Sequence, residues 1–160
     1  FNLVCTWAAA LVLFTLSAEL TSSTAYGKFG EGSSVAVPPQ VGWWLMELPV
    51  TLTFVYRFFV RGGSQSRELV PRLCACVMCA HYCYRGWIYP CLLRPHPGAS
   101  SNFSLVPALG GSLVTVTHGY LNAAWFAEHG KHLRSRSWLR DPRFVAGALL
   151  YLSGFACLVY

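Results

Sequence analysis

Long apolar runs separated by short polar segments form the main pattern along the chain. An α-helix needs about 20 mostly apolar residues to cross a bilayer, and the runs approach that length. They predict five membrane-spanning helices, the last of them incomplete, over residues 1–20, 41–60, 73–93, 103–127 and 144–160. Gly, Ser and Pro mark the connections between the runs. The pattern therefore predicts an all-α, multi-span helical membrane protein with a single domain over residues 1–160.

Composition and charge agree with this fold class. Hydrophobic residues make up 54% of the chain and charged residues 11%, whereas soluble domains carry about 25% charged residues. This composition excludes intrinsic disorder and argues against an ordinary cytosolic domain. The basic residues cluster in segments 57–72 and 128–143, without any nucleic-acid motif, so we predict no nucleic-acid partner. Because spans alternate in direction, both segments and the N-terminus are expected on one side, which the positive-inside rule makes cytosolic.

Five cysteines lie along the third run: Cys74, Cys76, Cys79, Cys83 and Cys91. Structural zinc sites usually join two ligand pairs on separate turns, whereas these cysteines lie in one predicted helix. Buried cysteine behaves as a small hydrophobic residue, and we therefore predict no metal site.

Glu47 is the single charged residue in an apolar stretch from Val41 to Tyr56. A carboxylate at membrane depth is costly and usually faces a protein interior or a cavity, where it has a function. Burial favours its protonated form, which would make Glu47 a hydrogen-bond donor. Trp43 lies one turn earlier on the same face. The alternative is a structural carboxylate paired with an arginine of another span.

The third and fourth runs carry polar stripes. His81, Arg85 and Tyr89 are spaced four residues apart, so they share a helical face with the neighbouring Tyr82. Tyr89 near the span end also fits an interface anchor, whereas the deeper Tyr82 phenol needs a partner. The stripe of the fourth run is best explained as a hydrogen-bonded helix contact; it comprises Thr115, His118 and Asn122. These residues predict a bundle with a polar interior, but they identify no substrate.

Six short motifs occur in an order that resembles the landmark sequences of one enzyme family. They are Tyr26-Gly27-Lys28 (Y-G-K/R), Trp43-Trp44-Leu45-Met46-Glu47-Leu48-Pro49 (W-x-x-x-E-L-P), His81-Tyr82-Cys83-Tyr84-Arg85 with Tyr89 (H-Y-x-x-R-x-x-x-Y), Arg94-Pro95-His96-Pro97 (R-P-x-P), Gly119-Tyr120 (G-Y) and Asp141-Pro142-Arg143-Phe144 (D-x-R-F). Each motif alone is weak, but together, in register with the predicted spans, they are specific. From residue 26 to about 160, the chain resembles the steroid 5α-reductase family, the 3-oxo-5α-steroid 4-dehydrogenases.

The resemblance implies a seven-span fold in the endoplasmic reticulum membrane and an NADPH-dependent reduction of the Δ4 double bond of a 3-oxo steroid. Hydride reaches C5, a proton reaches C4, and negative charge develops on the C3 oxygen, which requires a hydrogen-bond donor in a dry site. By the resemblance, Tyr82 is this catalytic donor and Glu47 its buried partner. Trp43 and Met46 are the corresponding substrate-binding positions.

The chain departs from the family pattern at several points. Met46 stands where many steroid-reducing members have Gln, and His118 stands where plant-type members often have Gln. By the resemblance the chain is an N-terminal portion, without the C-terminal half that supplies most nucleotide contacts. We therefore expect the 160-residue chain to bind NADPH poorly and to be inactive alone. The family also implies a lumenal N-terminus, opposite to the charge pattern.

Two other functions stay open at this point. One is a reductase of another lipid enone or enoyl substrate: the E-L-P and H-Y-x-x-R motifs favour the steroid branch, but the Met46 departure keeps this alternative open. A non-catalytic membrane protein, such as a carrier that uses Glu47 for ion coupling, is the alternative from a different class. Oligomeric state does not follow from the sequence.

Overall fold

The computed structural model describes residues 1–21, 35–94 and 103–159. Helices form most of this part of the chain, which confirms the predicted all-α class. The α-helices are α1 (Asn2–Thr21), α2 (Pro39–Val55), α3 (Leu69–Cys83), α4 (Tyr89–Leu92), α5 (Leu105–Ala124) and α6 (Pro142–Val159). Two 3₁₀ helices, Lys131–Arg134 and Arg136–Arg140, connect α5 to α6. Two family-like motifs, Tyr26-Gly27-Lys28 and all but the first residue of Arg94-Pro95-His96-Pro97, lie outside the described residues.

Three of the helices continue into a five-residue π-helical turn. These π turns are Tyr56–Val60 after α2, Tyr84–Ile88 after α3 and Trp125–His129 after α5. Each is closed by a backbone hydrogen bond from the residue that follows it; the Gly130 N–H, for example, donates to the Trp125 carbonyl at 2.8 Å. A π turn holds more residues than an α-turn, so the side chains beyond it rotate around the helix axis. The four-residue spacing used in the sequence analysis therefore does not continue through residues 84–88.

Helices α2 and α5 lie side by side in the same direction and form the central contact of the bundle. Hydroxyl groups of α5 bond to α2, since Ser112 Oγ donates to the Leu45 carbonyl and Thr115 Oγ1 donates to the Met46 carbonyl at 2.7 Å. Small residues allow the close approach, as at Gly119, which lies against the α2 backbone. The Thr115 bond confirms the hydrogen-bonded helix contact that was predicted for the fourth run.

Helix α3 returns beside α2 in the opposite direction, and α6 lies against α3. Near the start of α2, Gln40 Nε2 donates to the Leu93 carbonyl, which follows α4, at 3.2 Å. On the other side of α3, the His81 ring lies 5.9 Å from the Tyr151 ring of α6. Helix α3 is therefore held between α2 and α6, and its side chains reach both.

The two basic segments lie at the same end of the bundle, as the alternation of helices predicted. Arg134, which follows α5, donates to Ser64 Oγ, which follows α2, at 3.0 Å. The Phe1 ring lies 4.0 Å from the His129 ring, which brings the start of α1 to the same end. The alternation predicted from the apolar runs is therefore confirmed for this end.

A short antiparallel strand pair joins the chain segments that precede α2 and α5. Strand β1 (Ala36–Val37) pairs with β2 (Phe103–Ser104), with Val37 opposite Phe103. The Phe103 side chain then covers Gly42 in the first turns of α2. This pairing starts α2 and α5 next to one another and was not predicted.

Among residues 1–21, 35–94 and 103–159, no helix combines the length and the apolar character that crossing a membrane requires. This differs from the five spans predicted from the sequence. In two of the apolar runs the α-helix is shorter than the run itself: α2 has 17 residues and α3 has 15 before the π turns begin.

Candidate functional site

A largely apolar cavity of about 590 Å³ lies between α3, α5 and α6. Its volume falls within the range of about 300–1,000 Å³ that is typical of small-molecule sites. The lining comprises Leu73, Cys74, Val77, Met78, His81 and Tyr82 on the α3 side, His118 and Phe126 on the α5 side, and Arg143, Phe144, Gly147, Ala148, Tyr151 and Leu152 on the α6 side. Such a cavity suits a rigid apolar ligand with a few polar atoms.

Tyr82 and two histidines bring polar groups to the wall of this cavity. The Tyr82 ring lies 5.0 Å from the His81 ring and 5.9 Å from the His118 ring. Nδ1 of His81 is buried and has no hydrogen-bond partner in the described part of the chain. Buried polar atoms without a partner are rare in folded proteins, so this atom marks a place where a ligand or water would be stabilised.

The sequence analysis assigned His118 to a helix contact, whereas the structure places it beside Tyr82 on the cavity wall. Asn122 donates to the His118 carbonyl at 2.9 Å, so Asn122 bonds within α5 rather than across to another helix. The contact between His118 and Tyr82 could not be predicted from residue spacing, because the two residues belong to different helices.

Glu47 is buried in α2 and faces Arg85 across the α2–α3 contact. Its side chain is 5% exposed, and Arg85 donates to Oε1 from Nη2 at 2.8 Å and from Nε at 2.9 Å. Arg85 belongs to the π turn that follows α3, and this turn lies beside Glu47. The arrangement is that of a carboxylate paired with an arginine of a neighbouring helix, the alternative considered from the sequence, rather than that of a protonated donor.

Trp43 covers the ion pair from the same helix as Glu47. Its indole N–H donates to the Arg85 carbonyl at 3.1 Å, and the Arg85 guanidinium lies 5.3 Å from the indole ring centre. Tyr89 also packs against Trp43, with 5.2 Å between the centres of the two rings. These contacts fix the guanidinium between an indole face and the Glu47 carboxylate.

Of the four site residues expected from the sequence, Tyr82 alone lines the cavity between α3, α5 and α6. Met46 lies against Gly111 of α5, and Trp43 and Glu47 lie at the α2–α3 contact. The two groups nevertheless adjoin, because α3 carries Tyr82 and the π turn that continues it carries Arg85, the partner of Glu47. The site therefore consists of a cavity wall with Tyr82 and a charged pair at the adjoining α2–α3 contact.

Among the residues that the structure describes, Arg143 is the one Lys, Arg, Asp or Glu side chain in the cavity lining. Asp141 holds it in a bidentate pair, with Nε at 2.9 Å from Oδ1 and Nη2 at 2.8 Å from Oδ2. The hydrogen bonds from Arg143 lower the pKa of the Asp141 carboxyl from 3.8 to about 2. Asp141 therefore stays ionised at neutral pH and keeps Arg143 paired.

This lining does not fit a dinucleotide cofactor. NADPH carries several phosphate charges, which proteins usually meet with arginine forks, lysines or backbone N–H groups. The cavity offers one guanidinium, which already pairs with Asp141, and its other walls are mostly apolar. The cavity instead fits a neutral, apolar ligand with a polar end.

The cysteine run differs in part from its interpretation as buried hydrophobic residues. Cys76, Cys83 and Cys91 are exposed, whereas Cys74 and Cys79 are half-buried, and all of these thiols are free. Among the described residues, no three or more His, Cys, Asp or Glu side chains gather as metal ligands would. Cys74 contributes to the cavity wall.

No family model matches the chain. Curated relatives named 3-oxo-5-alpha-steroid 4-dehydrogenase 1 are similar to it. The protein of Macaca fascicularis is 25% identical over 140 residues, that of Bos taurus 26% over 134, and that of Homo sapiens 24% over 134. These matches cover 87%, 81% and 83% of this chain and 51%, 49% and 49% of the relatives. The chain thus spans about half the length of these relatives, and the resemblance to the steroid 5α-reductase family is confirmed.

Proposed function

We propose that the chain is part of an enzyme that reduces the Δ4 double bond of a 3-oxo steroid, and that the cavity between α3, α5 and α6 holds the steroid. The observation that carries this proposal is the position of Tyr82 on the wall of a largely apolar cavity. A steroid is rigid and apolar, with a ketone at one end, so it matches this combination. The names of the curated relatives support the same substrate class.

In this reaction a hydride adds at C5 and a proton adds at C4. As the hydride arrives, the electron pair of the double bond moves towards the ketone and negative charge grows on the C3 oxygen. A phenol that donates to this oxygen stabilises the charge, and the effect is large because the apolar walls exclude water. We assign this donor role to Tyr82. The cavity lining does not fit a dinucleotide. NADPH as the hydride source is therefore proposed only from the family resemblance.

Glu47 is proposed to support Tyr82 from the adjoining α2–α3 contact. Its ion pair with Arg85 holds α2 against the helical stretch that carries Tyr82. Glu47 would thus keep Tyr82 in position at the cavity wall rather than act on the phenol through a net charge. The assignment of Trp43 and Met46 to steroid binding stays a prediction. In the structure Trp43 contacts Arg85 and Met46 contacts Gly111 of α5.

We further propose that the protein is integrated in a membrane, in the endoplasmic reticulum. Large apolar side chains are exposed along several helices, which is rare in soluble monomers. Among them are Leu3, Phe14, Val106, Leu149 and Leu150, each at least 64% exposed. Lipid would cover these side chains, and it would also deliver a poorly soluble steroid.

The proposal is tested by reduction of a panel of Δ4-3-oxo steroids in microsomes that contain NADPH and the product of the full-length gene. Tyr82→Phe keeps the ring but removes the hydroxyl, and it is expected to lower kcat about 10²–10³-fold, as for the loss of one oxyanion donor. Tyr84→Phe is the matched control, because Tyr84 lies on the same helical stretch but does not line the cavity. The control is expected to keep the parent rate.

Three outcomes distinguish the alternatives. A Tyr82→Phe variant as fast as the parent would show that the donor is assigned wrongly. Reduction of polyprenol or enoyl substrates, but not of any steroid, would favour the second reductase function, which the Met46 departure leaves open. An intact protein that reduces none of these compounds would favour a non-catalytic role.

A further inference from the structure

A second cavity, of about 510 Å³, lies at the end of the bundle where α2 and α5 finish. It differs from the first cavity because polar and charged side chains line it. The lining comprises Thr53, Tyr56, Arg57, Arg61, Gly62, Tyr120 and Glu128. The first and third π turns form two of its walls.

Arg57 and Glu128 neutralise one another in this cavity. The Arg57 side chain is 13% exposed, and its Nη2 lies 2.7 Å from Glu128 Oε2. Its Nη1 donates to the Gly62 carbonyl at 2.7 Å, and the Tyr120 ring lies below the guanidinium at 5.8 Å. Gly62 has a φ of 63°, which suits glycine and turns the chain so that this carbonyl faces Arg57. Arg57 is thus a fixed part of the wall.

Arg61 supplies the uncompensated positive charge of the cavity. Within residues 35–94 and 103–159, it makes no ion pair, and the hydroxyls of Thr53, Tyr56 and Tyr120 make no hydrogen bond. The cavity therefore offers one free guanidinium and three hydroxyl donors around a single space. Arginine with hydroxyl donors is a donor set that matches a tetrahedral oxyanion such as a phosphate group.

The charge of the whole bundle end favours an anion at this place. The two basic segments contain nine Lys and Arg residues against three Asp and Glu residues, and the charges elsewhere in the chain cancel. The net charge of +6 is therefore carried by the two basic segments, which lie at the end of the bundle that holds this cavity. Such a field concentrates anions, and basic cavities between helices at a membrane face bind lipid headgroups.

We propose that this cavity binds a phosphate group, carried either by the headgroup of an anionic lipid or by free phosphate. Arg61 is the charged ligand, and the hydroxyls of Tyr56, Tyr120 and Thr53 complete the oxygen-binding set. The Arg57–Glu128 pair holds the two helix ends around the anion. The site is separate from the cavity that contains Tyr82, so it does not depend on the proposed reductase function.

The test uses the purified 160-residue chain in a neutral detergent. One arm titrates inorganic phosphate by calorimetry, and the other measures binding of phosphatidic acid against phosphatidylcholine in nanodiscs. Saturable binding in the phosphate arm identifies free phosphate as a ligand, and binding confined to phosphatidic acid identifies a lipid headgroup. Either result supports the site, provided that Arg61→Gln weakens it about tenfold or more and Tyr120→Phe weakens it as well.

Arg72→Gln is the matched control, because Arg72 is an exposed arginine of the same basic segment that does not line the cavity. It is expected to leave the affinity unchanged at fixed ionic strength. The proposal is overturned if neither phosphate nor phosphatidic acid binds. Equal losses in Arg61→Gln and Arg72→Gln would also overturn it, because they would indicate a diffuse charge effect. Thermal melting checks that each variant is folded.

Discussion

The buried ion pair of Glu47 and Arg85 is expected to contribute little net stability when intact, but to destabilise the fold strongly when one partner is removed. Arg85→Met leaves the buried Glu47 carboxylate without its cation, and it is expected to lower the free energy of unfolding by about 3–5 kcal/mol. Thermal melting of the purified chain, followed by circular dichroism in detergent, measures the change. Arg72→Met, which alters an exposed arginine on α3, is the control and is expected to stay within about 0.5 kcal/mol of the parent.

A double variant separates the ion pair from the other contacts of Arg85. Adding Glu47→Gln to Arg85→Met removes the unpaired charge, so the double variant should be more stable than Arg85→Met alone. If the second substitution lowers the stability further, the carboxylate was not the group left unsatisfied, and the account of this pair is wrong.

At single residues, the sequence indicated which positions were unusual but not which partners they have. The isolation of Glu47 in an apolar run was enough to predict a buried functional or paired carboxylate. Its partner could not be selected, because spacing within one run does not show which neighbouring helix each face meets. Arg85 faces Glu47 and, with Tyr89, packs on Trp43, whereas His81 faces the cavity beside Tyr82.

Among the helices, the contact of α2 with α5 depends on a residue without a side chain. A Cβ at Gly119 would lie 2.7 Å from the Val50 carbonyl oxygen and 3.2 Å from its Cα, and backbone atoms cannot move aside cheaply. Gly119→Ala is therefore expected to lower the free energy of unfolding by about 1–3 kcal/mol, as overpacking does. The melting assay described above measures it.

Gly110→Ala on the same helix is the matched control. A Cβ there would meet nothing within 4 Å, so alanine should raise the stability by about 0.5–1 kcal/mol through its better helix propensity. Equal effects of the two substitutions would mean that the close approach at Gly119 does not hold the helices together.

The apolar runs predicted the positions of the helices well, but they did not predict the structure at the helix ends. Thr115 was expected to join two helices and does so, since a hydroxyl in an apolar run needs an acceptor. The π turns at 56–60 and 125–129 were not predicted, because their extra residue depends on tertiary contacts. The strand pair before α2 and α5 involves two residues from each segment, which is too short to produce a recognisable alternating pattern.

At the scale of the molecule, the two cavities described above differ in character and lie in different places. The apolar cavity between α3, α5 and α6 carries two phenols, those of Tyr82 and Tyr151, and two imidazoles, whereas the polar cavity lies at the end that holds the two basic segments. A lipid-soluble substrate and a phosphate group would thus bind separately. The alternation of apolar runs was sufficient to predict that both basic segments share one end, since that depends only on the number of helices between them.

The central claim is that the Tyr82 hydroxyl donates to the C3 ketone of a bound Δ4-3-oxo steroid. Infrared difference spectroscopy of the purified chain with testosterone labelled with ¹³C at C3 observes that ketone directly and needs no cofactor. A hydrogen bond to the oxygen weakens the carbonyl bond, so the labelled band should lie at lower frequency in the parent than in Tyr82→Phe. Identical band positions in both proteins, with the steroid bound to each, would contradict the account.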